Sequence, residues 1–158
     1  MPICEDLSDQ VDREEIICVQ KWLTDKDADM IVDVLQKNKC KKFVLARNDL
    51  GPEAATKIAD AMVANTSVTF LSLAGNKFND DGALEFVKVL KGNTTMETIF
   101  LSDNKTSEKT CDALYEANAE REKPLPENLY GIVLDHKSPK AREREAAAKA
   151  DSKKKKTG

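Results

Sequence analysis

The chain carries one histidine, His136, and its surroundings argue against catalysis. A histidine works as a general base when a second group orients it and a nucleophile lies within hydrogen-bonding reach. No serine or cysteine motif of that kind accompanies His136. The phosphate-binding motifs GxxxxGK(S/T) and GxGxxG are also missing from the sequence. We therefore predict a protein that is not an enzyme and that uses no cofactor and no small-molecule substrate.

Metal ligation has equally little support in the sequence. The four cysteines form no CxxC pair: Cys4, Cys18, Cys40 and Cys111. In a chain without a secretory signal, isolated cysteines are typically reduced and buried like small apolar side chains. The acidic runs at 25–29 and 80–81 lack the closing glutamate of a calcium-binding loop, and they suit solvated helix starts. The sequence thus predicts no metal site.

Three asparagines have a spacing that is informative about the fold. Asn48, Asn76 and Asn104 stand 28 residues apart, and each ends a similar frame: FVLARN, LSLAGN and IFLSDN. A primary amide both donates and accepts hydrogen bonds, so aligned asparagines can satisfy backbone groups where a strand turns away. These three residues are therefore predicted to form a structural ladder.

The rest of each frame predicts the secondary structure. Apolar residues alternate before each asparagine, as a short strand requires, and the following stretch has apolar residues at helical spacing. A degenerate first copy begins at Ile16 and Cys18, and three helices are predicted to end in left-handed geometry at Asn38, Asn65 and Asn93. One such unit cannot bury its own apolar side, so the units must stack. We predict an α/β fold, a short right-handed αβ solenoid with parallel strands on the concave face and helices on the convex face.

The frames at 43–48, 71–76 and 99–104 resemble the LxLxxN motif of leucine-rich repeats of the ribonuclease-inhibitor type. Within that class, the stretch 65–104 and the ending LYGIVLDHK at 129–137 are similar to the C-terminal domain of tropomodulins. The resemblance implies a scaffold that binds proteins in a cytoskeletal assembly, actin-based or flagellar. It implies a protein partner, with actin as one candidate.

Charge and composition divide the chain into three predicted segments. Residues 1–14 are an acidic N-terminal cap, residues 15–135 the solenoid of about four repeats plus a final strand, and residues 136–158 a basic tail. The tail has nine basic and three acidic residues, whereas residues 1–135 have 16 basic and 25 acidic residues. After Ser138 and Pro139 we expect a solvated helix that gives way to disorder.

The two ends of the sequence also bear on localisation. The start, MPICEDLSDQ, lacks the basic and then apolar pattern of a secretory signal, and no run of 18 apolar residues occurs to span a membrane. We therefore expect a cytoplasmic protein, with a cytoskeletal location as the finer expectation. The run Lys153–Lys156 is also compatible with nuclear import.

The concave strand face is the predicted site of function. In each frame, the residue between the two core positions points to this face, where exposed apolar side chains mark an interaction site. The predicted partner contacts at this position are Ile17, Val44, Ser72, Phe100 and Val133. Phe70, just before the first core position of its strand, is a further predicted contact, and Arg47 and Asp103 are predicted polar contacts at the edge. Two alternatives stay open: the tail or the N-terminal segment covers these side chains, or a one-residue shift places some of them in the core.

The lysine run of the tail supports an alternative function. In this second hypothesis, Lys153–Lys156 bind a polyanion such as an acidic protein, tubulin or nucleic acid, and the solenoid is a spacer. Nucleic acid is the least favoured of these partners, because no aromatic residues lie among the lysines to stack on bases. The leading hypothesis remains a non-catalytic module that binds a protein through its concave strand face.

Overall fold

Five short parallel strands form the centre of the structure. The computed structural model describes Leu7 and residues 10–157. The strands pair in chain order: β1 (Glu15–Ile17), β2 (Lys42–Val44), β3 (Phe70–Ser72), β4 (Thr98–Phe100) and β5 (Ile132–Val133). The helices between and after them are α1 (Ala28–Gln36), α2 (Pro52–Ala64), α3 (Asn79–Leu84), α4 (Phe86–Gly92), α5 (Glu108–Ala119) and α6 (Pro139–Thr157). The predicted αβ solenoid is confirmed.

The register of the sheet follows the sequence repeat. The residues paired along its central row are Ile16, Phe43, Leu71, Ile99 and Ile132. All five are at most 1% exposed, and the aligned apolar residues of the helices pack behind them. A shift by one residue would turn this whole row to the opposite face of the sheet. Because this row is buried, the strands are not shifted by one residue. The alternative in which such a shift places the concave residues in the core is therefore wrong.

Carboxylates of one repeat cap the helix of the next. At the start of α2, Asp25 Oδ1 accepts hydrogen bonds from the backbone N–H of Gly51 at 2.7 Å and of Ala54 at 3.1 Å. Just before α5, Asp80 Oδ1 accepts one from the backbone N–H of Ser107 at 2.7 Å, and this bond lowers the pKa of Asp80. A carboxylate satisfies the free N–H groups of a helix start and opposes the helix dipole. Asp25 and Asp80 therefore bind the next repeat, where the sequence predicts solvated side chains.

The helix ends differ from the predicted geometry. Asn38 has a φ of 53°, as predicted, but Asn65 and Asn93 are extended, with φ of −68° and −90°. Both are buried, and their amides donate to carbonyl oxygens of the preceding repeat, Asn65 to Leu35 at 2.7 Å and Asn93 to Met62 at 2.6 Å. The prediction of left-handed backbone is wrong at these two positions. Asparagine occurs there because its amide forms hydrogen bonds with the preceding repeat.

The two ends of the chain flank the solenoid differently. The predicted acidic cap at 1–14 lies largely outside the described residues, although Leu7 is fully buried and Val11 packs against the core. At the other end, α6 continues to Thr157, so the predicted change from helix to disorder is not found there. Alanine, lysine, glutamate and arginine all favour helix, which explains this continuation.

Candidate protein-interaction surface

Asparagine amides fix the turn that follows each strand. Asn48 Nδ2 donates to the carbonyl oxygens of Cys18 at 2.8 Å and Leu45 at 2.9 Å, and its oxygen accepts backbone N–H groups of the preceding repeat. Asn76 and Asn104 repeat this arrangement, one unit further along each time. All three are at most 5% exposed. The ladder thus sets the direction in which the chain leaves each strand.

After the last strand, Asp135 takes over the role of these asparagines. Its carboxylate accepts hydrogen bonds from the backbone N–H groups of Asp103, Asn104 and Thr106, and from the Thr106 hydroxyl at 2.5 Å. Burial raises the pKa of Asp135, but the hydrogen bonds from Thr106, Asp103 and Asn104 together hold it below its usual value. The ionised carboxylate therefore anchors the final strand to the turn before it.

Five apolar side chains lie across the strand face and form a surface that we call the concave stripe. Its members are Ile17, Val44, Phe70, Phe100 and Val133. Ile17 is 53% exposed, and the other four are partly exposed. Phe70 and Phe100 pack edge to face with ring centroids 5.3 Å apart, and Lys42 Nζ lies 5.4 Å from the centroid of Phe70. With about 4.8 Å between neighbouring strands, the stripe extends across roughly 19 Å.

Ser72 is the predicted contact that the structure does not leave accessible. It pairs with Val44 on one side and with Phe100 on the other, and Phe70 lies two residues earlier on the same face. Between these larger side chains, Ser72 is only 4% exposed. A small residue in the middle of the stripe thus forms its floor, and Ser72 exposes far less surface to a partner than the apolar side chains around it.

Arg47 and Asp103 lie at the carboxyl edge of the sheet, next to the stripe. Both are exposed, and both have left-handed backbone, with φ of 58° and 57°. Gly75 has the same position in the repeat between them, with φ of 73°. A Cβ at Gly75 would lie 3.2 Å from Arg47 Cγ. The glycine therefore leaves room for the arginine side chain across the edge.

Trp22 is a surface residue that the sequence reasoning missed. It is the only tryptophan of the chain and is 75% exposed, with φ of 63°. Its place in the repeat is that of Asp49, Lys77 and Lys105, all polar residues. The 27-residue step from Trp22 to Asp49 was the signal that could have placed the indole outside the core.

The tail helix begins on the helical side of the solenoid. Arg142 donates to Asp112 at 2.7 Å and 2.9 Å and to Glu108 at 2.6 Å, both on α5. Ser138 donates from its hydroxyl to Glu127 at 2.6 Å. These contacts hold the start of α6 against α5 rather than over the strands. In the described residues, the tail thus provides no cover for the concave stripe.

The groups with reactive chemistry have structural partners. His136 Nε2 lies 3.1 Å from the Thr106 carbonyl oxygen, and the Tyr115 hydroxyl donates to the His136 carbonyl oxygen at 2.8 Å. Burial raises the pKa of the Cys40 thiol to about 11, which keeps it protonated. Within the described part of the chain, no three side chains of histidine, cysteine, aspartate or glutamate gather as a metal site would require.

Among the described helices, none combines the length and apolar character needed to cross a bilayer.

The 28-residue register and the asparagine ladder define a leucine-rich-repeat solenoid. A family model described as Leucine Rich repeat matches residues 64–87. Among solved structures, Leiomodin-1 Actin-Binding Site 2 (ABS2) has a similar fold, with a TM-score of 0.72 and 18% sequence identity. The similarity covers 98% of this chain and 91% of that chain. The expected likeness to the tropomodulin C-terminal domain is confirmed at the level of the fold.

A curated relative matches this chain over a small part of its own length. NACHT, LRR and PYD domains-containing protein 9 of Bos taurus is 32% identical over 95 residues, which is 58% of this chain. The match covers 10% of that protein, so the chain spans about a tenth of its relative's length.

Proposed function

We propose that the chain is a non-catalytic binding module that holds an apolar surface of a partner protein against its concave stripe. The observation that carries this proposal is the Phe70–Phe100 pair, two aromatic rings packed together on a solvent-facing sheet. Aromatic side chains at the centre of a patch provide much of the binding energy of protein interfaces. Because the strands already hold both rings, little conformational entropy is lost when a partner binds.

The dimensions of the stripe favour an amphipathic helix as the bound element. A helix laid along a row of roughly 19 Å would place about 13 residues over it, with apolar side chains one turn apart. Ser72 forms a shallow floor between Val44 and Phe100, and this floor suits a side chain that inserts between them. Arg47 and Asp103 at the edge would supply polar contacts around the apolar centre.

Actin is the first partner to test, within a cytoplasmic, cytoskeletal setting. Support comes from the fold similarity to a structure described as an actin-binding site, which covers 98% of this chain. The proposal of a protein partner depends on the stripe, whereas the proposal of actin depends on the fold alone. The two proposals can therefore fail separately.

The test compares Phe70→Ala/Phe100→Ala with Leu84→Ala, which removes an apolar side chain that is 41% exposed on α3. Each protein is assayed by co-sedimentation with filamentous actin, by titration of monomeric actin, and by affinity capture from the native source with mass spectrometry. Loss of both rings should weaken partner binding by about tenfold or more, and the control should not. Unchanged binding by a folded double variant excludes the stripe. Stripe-dependent binding of another protein, without actin binding, excludes actin only.

The tail provides a second candidate function, supported by its exposure. In α6, the side chains from Glu143 to Lys154 are exposed, and Lys149, Lys153 and Lys154 are among them. In this alternative, the helix binds a polyanion while the solenoid serves as a spacer. Such binding should weaken steeply as salt rises, because counterions are released. Binding that survives both 0.5 M salt and deletion after Pro139 excludes this function.

A further inference from the structure

A groove runs along the carboxyl edge of the sheet, beside the concave stripe and separate from it. It encloses about 400 Å³, within the range of pockets that accept small ligands or a few side chains. The residues that matter for its chemistry are Trp22, Arg47, Asp49, Lys77, Asp103 and Lys105, which we call the edge groove. They come from four successive repeats, because the turn after each strand delivers its side chain to the same edge.

Trp22 gives the edge groove an apolar wall. A large indole that is 75% exposed is unusual, and its left-handed φ of 63° is rare for a bulky residue. Non-glycine residues in this conformation carry a conformational cost and cluster at functional positions. The chain thus places its only tryptophan, largely exposed to water, in the lining of the groove.

The charges of the edge groove are unevenly paired. Lys77 Nζ lies 3.0 Å from Asp49 Oδ1, which neutralises that pair. Among the ion pairs of the described residues, none includes Arg47, Lys105 or Asp103. The groove therefore has two cations, Arg47 and Lys105, and one carboxylate, Asp103, outside the Lys77–Asp49 pair. This surplus of positive charge lies on a body in which residues 1–135 have 25 acidic and 16 basic residues. The edge groove is therefore a local exception to an acidic surface.

From this combination we infer that the edge groove binds an acidic peptide segment of a partner protein. The Arg47 guanidinium pairs with a carboxylate through two hydrogen bonds, and Lys105 attracts a second acidic side chain. Trp22 covers an apolar side chain next to the carboxylate, so the groove selects an apolar residue flanked by acidic ones. This site goes beyond the concave stripe and does not need it.

The lining favours a peptide over a single-stranded nucleic acid. Nucleic-acid grooves stack successive bases on several aromatic rings, whereas Trp22 is the one aromatic residue of this lining.

The single tryptophan makes the test specific to this site. Acrylamide quenching of the intrinsic fluorescence reports Trp22 alone, because the chain has no other tryptophan. The probes are the capped pentapeptides EELEE, QQLQQ and KKLKK and an oligothymidylate of ten nucleotides. Three proteins are titrated: wild type, Arg47→Glu, and the charge-matched control Lys37→Glu at the end of α1. A fourth, Phe100→Ala, shows whether the stripe takes part.

The expected result is protection by EELEE alone, with the quenching constant of Trp22 falling about twofold as the peptide covers the indole, and less so at high salt. Arg47→Glu should remove this protection, while Lys37→Glu and Phe100→Ala should keep it. Equal protection by EELEE and QQLQQ, protection by the oligothymidylate, or no protection up to millimolar peptide would overturn the inference. Loss of protection in Phe100→Ala would contradict the independence of the two surfaces.

Discussion

Arg121 Nη1 donates a hydrogen bond to the carbonyl oxygen of Asn93 at 2.7 Å, and the two residues stand 28 positions apart. One repeat earlier, Asn93 Nδ2 donates in the same way to the carbonyl oxygen of Asn65 at 3.1 Å. Arg121 Nη1 also donates to Leu90 at 2.6 Å, just as Asn93 donates to Met62 one repeat before. Arg121 thus continues, with a different side chain, the row of amides at the helix ends.

The first prediction follows from this substitution of arginine for asparagine. Arg121→Ala removes the donor for the Leu90 and Asn93 carbonyl oxygens. We expect the free energy of unfolding to fall by about 2 kcal/mol, the usual cost of partly buried carbonyls that lose their partner. Arg121→Lys should recover part of it. Urea denaturation measures the change, with the exposed neighbour Lys123→Ala as control. Equal stability of the Arg121→Ala variant and the wild type would refute this role.

The second prediction concerns Asp135, whose folded pKa lies below its usual value. Asp135→Ala leaves the backbone N–H groups of Asp103, Asn104 and Thr106 without their acceptor. We expect a loss of about 1–3 kcal/mol near pH 7. A carboxyl with a lowered folded pKa stabilises the protein above its unfolded pKa, near 3.9, and this contribution is lost as pH falls through the folded pKa.

Unfolding of wild type and Asp135→Ala should therefore differ by a constant amount above about pH 5, and the difference should shrink below about pH 4. Asp33→Ala, at an exposed position on α1, serves as control and should show no such trend. A difference that is the same at pH 3 and pH 7 would mean that the carboxylate charge does not contribute.

Much of the solenoid could be predicted because the stacking of parallel strands requires a constant spacing. A residue such as Leu71 must lie beside Phe43 and Ile99 if each repeat is to bury its apolar side. The residues that could not be predicted are those whose role depends on neighbours of a different size or type. Ser72 is buried by the side chains on both sides of it. Asp135 performs the task of the ladder with a side chain that does not match the repeat.

The candidate site shows the same limit. The stripe positions follow from alternation along a strand, but their exposure depends on what lies above them. Trp22 belongs to the degenerate first repeat, where the step is 27 residues rather than 28, so its alignment with Asp49 carries less weight in a sequence. Only the folded edge of the sheet brings it beside Arg47.

The third prediction concerns Gly131, which precedes β5. A Cβ there would lie 2.0 Å from the Pro126 carbonyl oxygen and 2.5 Å from its nitrogen, both backbone atoms that cannot give way cheaply. Gly131→Ala should therefore cost about 3 kcal/mol through overpacking. Amide exchange should quicken at Ile99 and Leu101, whose N–H groups donate to Gly131 and Val133.

Gly92→Ala is the control, since its added methyl meets only Val63 Cγ1 at 3.2 Å and it ends a helix. We expect a change in stability near zero, and unchanged exchange at Ile99 and Leu101. Loss of stability in this control that equals that of Gly131→Ala would show that a general intolerance of alanine, and not the Pro126 contact, is responsible.

The last prediction concerns Ser138, which begins the tail helix. Its hydroxyl oxygen accepts a hydrogen bond from the Ala141 N–H at 3.2 Å, and its hydroxyl donates to Glu127 at 2.6 Å. The helix that follows buries almost no apolar surface, so its stability depends on this cap and on the Arg142 contacts with α5. Loss of such a cap costs about 1 kcal/mol, which is large for a helix of 19 residues that packs weakly.

Ser138→Ala should therefore lower the helical circular dichroism and quicken amide exchange along 140–150, while Ser152→Ala, within the helix, should not. The strands should keep their protection in both variants, because β5 is held by its pairing with β4 and by the contacts of Asp135. If Ser138→Ala instead unfolds the whole domain, the tail is part of the cooperative unit and the spacer-and-tail alternative loses its physical basis.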